Sequence, residues 1–187
     1  MVRIGHEVPD FELDAFHAGD IRKVKLSENK DKWLILMFYP ADFTVVCPTE
    51  LEEAADNYTE LKRAGAEVMS VSTDRVAVHK AWYNQSPAVS KVKFPMLSDP
   101  SGILCREFGI YVEEEGHALR GSFVIDPDRI LRAYEVHDNR IGRNIKELLR
   151  KFQAAKYVLE HPGTACPASW EVGREALIMD IDLAPQL

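Results

Sequence analysis

Trp33-Leu34-Ile35-Leu36-Met37-Phe38-Tyr39 runs straight into Pro40-Ala41-Asp42-Phe43-Thr44-Val45-Val46-Cys47-Pro48-Thr49-Glu50, and this join decides the fold. The first stretch is short, continuous and apolar, the pattern of a strand covered on both faces. After the join, Leu51, Ala54, Ala55, Tyr58 and Leu61 recur at helical spacing, so an amphipathic helix is predicted over 47–64. Gly65 follows as its C-terminal stop. Cys47 therefore falls in or beside the first helical turn, where free N–H groups and the positive end of the dipole favour a thiolate over a thiol. Pro48 suits that turn, because its missing N–H is no loss there.

Working outward, the remaining elements read as a mixed α/β order. Phe11 and Leu13 alternate as in a short edge strand within an otherwise polar 1–30. Glu67 to Ser72 reads as a second strand. Asp74 is placed to cap a helix through Val78 and Trp82 that ends near Pro87. Asp99-Pro100 opens another helix, with Ile103, Leu104 and Phe108 on one face and Gly109 as stop. Strands over Gly121 to Asp126 and Ile130 to Val136 are joined by the turn Asp126-Pro127-Asp128-Arg129. Glu113-Glu114-Glu115 reads as an exposed turn before Gly116. A last long helix spans 142–159, with Ile145, Leu148, Leu149 and Phe152 facing inward, and His161-Pro162-Gly163 breaks it. The whole predicts a central mixed sheet flanked by helices. The end of the chain, with Leu177, Ile178, Met179 and Leu183, reads as an arm that packs on the body or on a second subunit.

The 187 residues suit a domain with a sizeable core. Net charge is 23 − 30 = −7, which argues against a nucleic-acid partner. The longest apolar run, Trp33 to Tyr39, is far too short to span a bilayer, and Met1 to Glu7 leads into no stretch of signal-peptide length, so no membrane association is expected. Three cysteines in such a chain point to the cytoplasm, where lasting structural disulfides are rare. No C-x-x-C occurs and the six histidines are scattered, so no metal site is expected. The missing C-x-x-C also argues against a general dithiol–disulfide oxidoreductase.

A lone cysteine after a strand is most often a small buried hydrophobe. The neighbours of Cys47 point elsewhere. Pro40 and Pro48 stiffen the loop on both sides. Thr44 carries a hydroxyl that both donates and accepts; it either serves the sulfur or caps the helix, and the two roles are compatible. Cys105 sits beside Leu104 in a predicted helix and reads as inert packing.

Three segments resemble the typical two-cysteine branch of the peroxiredoxins, thiol peroxidases on a thioredoxin-like fold. The first is Pro40-x-x-x-Thr44-x-x-Cys47-Pro48-Thr49-Glu50, which is similar to the family's active-site loop. The second, Leu119-Arg120-Gly121-Ser122-Phe123-Val124-Ile125-Asp126, resembles its arginine-bearing strand. The third, His161 to Trp170 around Cys166, resembles the resolving-cysteine segment. His79-Lys80-Ala81-Trp82 and the Ile141-Gly142-Arg143 turn extend the likeness to bacterial members.

The resemblance implies that Cys47 attacks the peroxide, that Thr44, Arg120 and Pro40 shape the pocket, and that Glu50 and Arg143 hold the guanidinium in place. It implies a peroxidase domain over 1–160 and a C-terminal arm over 161–187 that carries Cys166. Cys166 of one subunit then forms a disulfide with Cys47 of another. The implied partners are a hydroperoxide substrate, a homodimer assembled as a decamer of five dimers, and a dithiol reductant, either a flavin-linked disulfide reductase or a thioredoxin-like protein. No cofactor is implied. A ring-forming holdase or peroxide-sensing relay uses the same cysteines and is the competing expectation.

Overall fold

The computed structural model describes residues 1–29 and 31–180. The chain divides into two compact units, Met1–Ile145 and Lys146–Leu187. The first holds a seven-stranded sheet. Its elements in chain order are β1 (Glu12–His17), β2 (Asp20–Lys25), β3 (Trp33–Phe38), α1 (Cys47–Ala64), β4 (Ala66–Ser72), α2 (Val76–Gln85), β5 (Met96–Ser98), α3 (Ile103–Glu107), the small hairpin β6 (Tyr111–Val112) and β7 (His117–Ala118), β8 (Arg120–Ile125) and β9 (Leu131–His137). The sheet order is β2-β1-β5-β4-β3-β8-β9. β3 runs parallel to β4 and antiparallel to β8, which places the apolar run at the sheet's centre. Every residue of β3 is buried, as its composition predicts.

Strand alternation sends the β3 side chains to both faces. Leu34, Leu36 and Phe38 join Met69, Val71, Phe123 and Ile125 in one apolar cluster with Leu104, Cys105 and Phe108. Phe108 and Phe123 meet edge to face at 4.6 Å there. Ile35, Met37 and Val68 alternate to the other face and are equally buried. Helix α1 starts at Cys47 and ends on Gly65, whose φ of 102° is the left-handed cap expected of glycine. Its buried residues Leu51, Ala54, Tyr58 and Leu61 form the predicted stripe.

Four local expectations are corrected. The strand expected at Phe11 and Leu13 begins at Glu12 and is not an edge: β1 lies between β2 and β5, and the unexpected β2 takes the edge. β2 escaped notice because only Val24 of its six residues is buried, which leaves no alternation to detect. Asp74 does not cap α2, which begins after an extended Arg75 with no side-chain cap. Ile103 is 66% exposed, since α3 has only five residues and Gly102 fixes its start. Thr44 is not the cap of α1 either; that position is Val46, with no side-chain bond.

The second unit contains most of α4 (Ile145–Glu160) and a short antiparallel pair, β10 (Thr164–Ala165) with β11 (Leu177–Ile178). Leu148, Leu149 and Phe152 are buried as expected. Tyr157 stacks on His161 at 4.0 Å and tilts against the buried Trp170 at 4.8 Å. Leu183 and the rest of 181–187 lie outside the described residues.

Candidate active site

The sheet's register gathers the site. β3 delivers the chain to Pro40 at its C-terminal end. Because β8 is antiparallel, with Gly121 opposite Phe38, its first residue Arg120 arrives at that same end. β9 is antiparallel again and pairs His137 with Arg120, so the chain leaving β9 passes the site as well. Open α/β sheets commonly place their ligands outside the carboxyl ends of the central strands.

Cys47 is the first residue of α1 and is fully buried. Its Sγ accepts a hydrogen bond from Arg120 Nη1 at 3.3 Å. The same Nη1 donates to Glu50 Oε2 at 2.6 Å. Arg143 encloses Glu50 from the other side: its backbone N–H and Nε both donate to Oε1 at 2.8 Å, and Nη2 donates to Oε2 at 3.0 Å. A carboxylate offers about four acceptor positions, and all are filled here by N–H donors. Burial alone would raise the Glu50 pKa; the hydrogen bonds and charge of Arg143, with the charge of Arg120, overcome it and hold the carboxyl below its ordinary value. Arg143 is anchored in turn, with Nη1 donating to the Gly121 carbonyl at 2.8 Å and to Ser122 Oγ at 3.2 Å.

The far edge of the Arg120 guanidinium is fixed by the Asn139 carbonyl, which accepts from Nε at 2.9 Å and Nη2 at 2.8 Å. Four of the five N–H groups are thereby used, and one Nη2 hydrogen has no acceptor among the described residues. The cluster of two guanidiniums and one carboxylate carries a formal 2 − 1 = +1, all of it buried.

Pro40 is buried beside the site. Thr44 is exposed, and its hydroxyl donates to the Ala41 carbonyl at 2.9 Å, leaving its lone pairs as acceptors. The structure thus brings Cys47, Glu50, Arg120 and Arg143 into one hydrogen-bonded cluster, with Pro40 and Thr44 on the adjoining loop. Cys105 lies outside it, buried in the apolar core, where burial next to Asp99 pushes its thiol far up and out of reach of ionisation at neutral pH. Cys166 is half-buried in the second unit, with Sγ 3.8 Å from the Ala154 carbonyl; burial raises its thiol pKa against the pull of Arg150.

Asn139 went unnoticed in the sequence because it acts through its main-chain carbonyl, which no side chain advertises. Asp42 was passed over too, although a carboxylate inside an apolar loop is itself a signal of a buried partner.

Residues 4–134 match the AhpC/TSA family. Over full length, the chain is 45% identical to alkyl hydroperoxide reductase C of Pseudomonas aeruginosa across 187 residues, covering 100% of both chains. It is 47% identical to the protein of that name from Amphibacillus xylanus across 188 residues, again with 100% of both covered. Among solved structures, the crystal structure of Enterococcus faecalis AhpC superposes with a TM-score of 0.86 at 44% identity, covering 89% of this chain and 100% of that one. Reduced 2-Cys peroxiredoxin of Plasmodium vivax superposes with a TM-score of 0.88 at 28% identity, covering 92% and 91%.

Proposed function

The chain belongs to the AhpC/TSA family, and from that premise we propose that it reduces hydrogen peroxide and small organic hydroperoxides through Cys47. Its thioredoxin-like fold and peroxidase class agree with those relatives. One observation carries the assignment. A single buried N–H₂ group of Arg120 divides its two hydrogens between a cysteine sulfur and a carboxylate that a second arginine binds three times. Such a cluster sets buried donors beside the sulfur for the oxygens that it attacks.

In the reaction, a Cys47 lone pair forms the S–O bond as the O–O bond breaks. The leaving oxygen departs with the bonding pair and takes a proton, giving water or an alcohol, and Cys47 becomes a sulfenic acid. A low thiol pKa alone does not make this fast, since nucleophilicity falls with basicity. Donors must therefore meet the charge that moves onto the leaving oxygen. The open Nη2 hydrogen of Arg120 and the Cys47 N–H take this role; Thr44 Oγ1, whose hydrogen is held by the Ala41 carbonyl, accepts from the peroxide O–H, and Pro40 keeps bulk water from the sulfur.

The Cys166 thiol of a partner subunit then attacks the sulfenic sulfur; the S–S bond forms and the hydroxyl leaves as water with the thiol's proton. A dithiol, from a flavin-linked disulfide reductase or a thioredoxin-like protein, returns both cysteines to thiols. In this scheme residues 1–160 are the peroxidase domain and 161–187 the arm. The working unit is a homodimer assembled as a decamer of five dimers. The reading keeps the protein in the cytoplasm, where cellular dithiols can reduce the disulfide each cycle; no helix among the described residues is long and apolar enough to cross a membrane. The holdase and relay alternatives are less favoured, because passing on a disulfide needs no donors arranged for O–O cleavage.

Non-reducing electrophoresis after one equivalent of peroxide tests the scheme. Wild type runs as a dimer-sized band, while Cys47→Ser and Cys166→Ser each stay monomer-sized. An oxidised monomer-sized species in the wild type would refute the intersubunit pairing.

Burial of Cys166 keeps its thiol protonated at neutral pH, so its thiolate fraction grows as pH rises. Disulfide formation, the phase that follows sulfenic acid formation, should therefore accelerate by up to about tenfold per pH unit between 6 and 8. Stopped-flow fluorescence under single-turnover conditions separates the two phases.

A further inference from the structure

Behind the catalytic loop lies a second buried polar chain that the reaction does not use. The Tyr39 hydroxyl donates to Asp42 Oδ1 at 2.7 Å. Asp42 Oδ2 lies 2.7 Å from His79 Nδ1, and His79 Nε2 lies 3.1 Å from the Leu97 carbonyl. The side chains of Asp42 and His79 are both fully buried. The Asp42 backbone N–H donates to Asp74 Oδ2 at 2.8 Å, and Ser72 Oγ donates to that same oxygen at 2.7 Å. This is the use found for Asp74 in place of a helix cap. A carbonyl only accepts, so Nε2 carries a hydrogen, and one further proton is shared between Nδ1 and the carboxylate. Burial pushes the Asp42 carboxyl up, with His79 acting against it and Asp74 adding to it.

The loop so held is under local strain. Phe43, directly after Asp42, has φ = 55°, a left-handed conformation that costs energy for any residue but glycine. Its ring lies 6.0 Å from Trp82, and Tyr39 lies 6.1 Å from the same indole. His79 and Trp82 are three residues apart and share one face of α2. That helix therefore meets two consecutive loop residues, Asp42 through the imidazole and Phe43 through the indole. Thr44 comes next in the chain, with its hydroxyl turned onto the Ala41 carbonyl.

We propose that Asp42 and His79 are positioning residues: their hydrogen-bonded chain clamps the Pro40–Val46 loop in its strained form and thereby fixes where Thr44 and the Cys47 N–H meet the peroxide. The proposal rests on the assignment of Cys47 as the peroxide-attacking group. It requires an acceptor for Tyr39 and a donor or proton-sharing partner for His79, rather than a negative charge. Asparagine meets both needs, with its carbonyl accepting from Tyr39 and its amide donating to a neutral His79.

The test is the second-order rate of Cys47 oxidation by hydrogen peroxide in Asp42→Ala, Asp42→Asn and Tyr39→Phe, followed by stopped flow at a temperature where far-UV circular dichroism shows each protein folded. Asp42→Ala should lose roughly tenfold or more, Tyr39→Phe about threefold, and Asp42→Asn should return to within about threefold of wild type. A folded Asp42→Ala that reacts like wild type overturns the proposal, and so does an Asp42→Asn as slow as Asp42→Ala. If Asp42→Ala does not fold, Tyr39→Phe decides, and an unchanged rate there is the overturning result. A wild type that fails to react with peroxide sinks the Cys47 assignment itself, which keeps the two failures apart.

Discussion

Cys47→Ser consumes hydroperoxide no faster than the dithiol in the buffer, a loss of about 10⁴-fold or more, as for removal of other covalent nucleophiles. The argument is chemical before it is structural. A serine hydroxyl is a weak nucleophile without an adjacent base to activate it, and none of the groups around Cys47 is placed to act as one. Glu50 is committed to two arginines, and Arg120 only donates. Serine fills nearly the same volume at the start of α1, so the thermal midpoint should stay close to that of wild type. Peroxide consumption with a small dithiol reads the first quantity and a melting curve the second. Residual turnover above about a hundredth of wild type in a well-folded variant would contradict the whole scheme.

Glu50→Ala costs both stability and rate. It leaves two buried guanidiniums facing each other without the carboxylate that receives three of their N–H bonds and the Arg143 backbone N–H. Breaking a buried ion pair from one side typically costs about 3–5 kcal/mol, and chemical denaturation should show a loss of that order. Arg120 also loses a partner that aims its Nη1 at the sulfur, and a misplacement of about 1 Å can cost about 10²-fold in rate. The pH dependence follows from the lowered Glu50 pKa. A carboxyl whose folded value lies below its unfolded one stabilises the fold fully above the unfolded value, and that contribution is lost as pH falls through the folded value. Wild type should therefore lose stability on acidification below its ordinary carboxyl range, and the Glu50→Ala protein should lose less over the same window. Equal acid slopes in urea titrations of the two would count against this account.

The central strand, α1 and its glycine stop were legible because each is governed by one dominant local force: continuous burial, amphipathic period, or a left-handed cap. Arg120 and Arg143 could be matched by resemblance but not located, since only the antiparallel register of β8 brings Arg120 to the end of β3. Glu50 entered by resemblance alone, since nothing local marks it as the hub between two arginines. β2 stayed hidden because an edge strand needs only one buried side chain. The Asp74 expectation failed for a tertiary reason: the loop's Asp42 N–H and Ser72 competed for its carboxylate and won it from the helix end.

The complete burial of Cys47 acts as a filter by size. Small, compact oxidants need only slight breathing of the surrounding side chains to arrive at the sulfur. A disulfide or another protein's thiol is far bulkier and must wait until the first turn of the helix frays. In the proposed scheme that burial reserves the sulfur for its oxidant, and the same barrier sets a pause between oxidation and resolution.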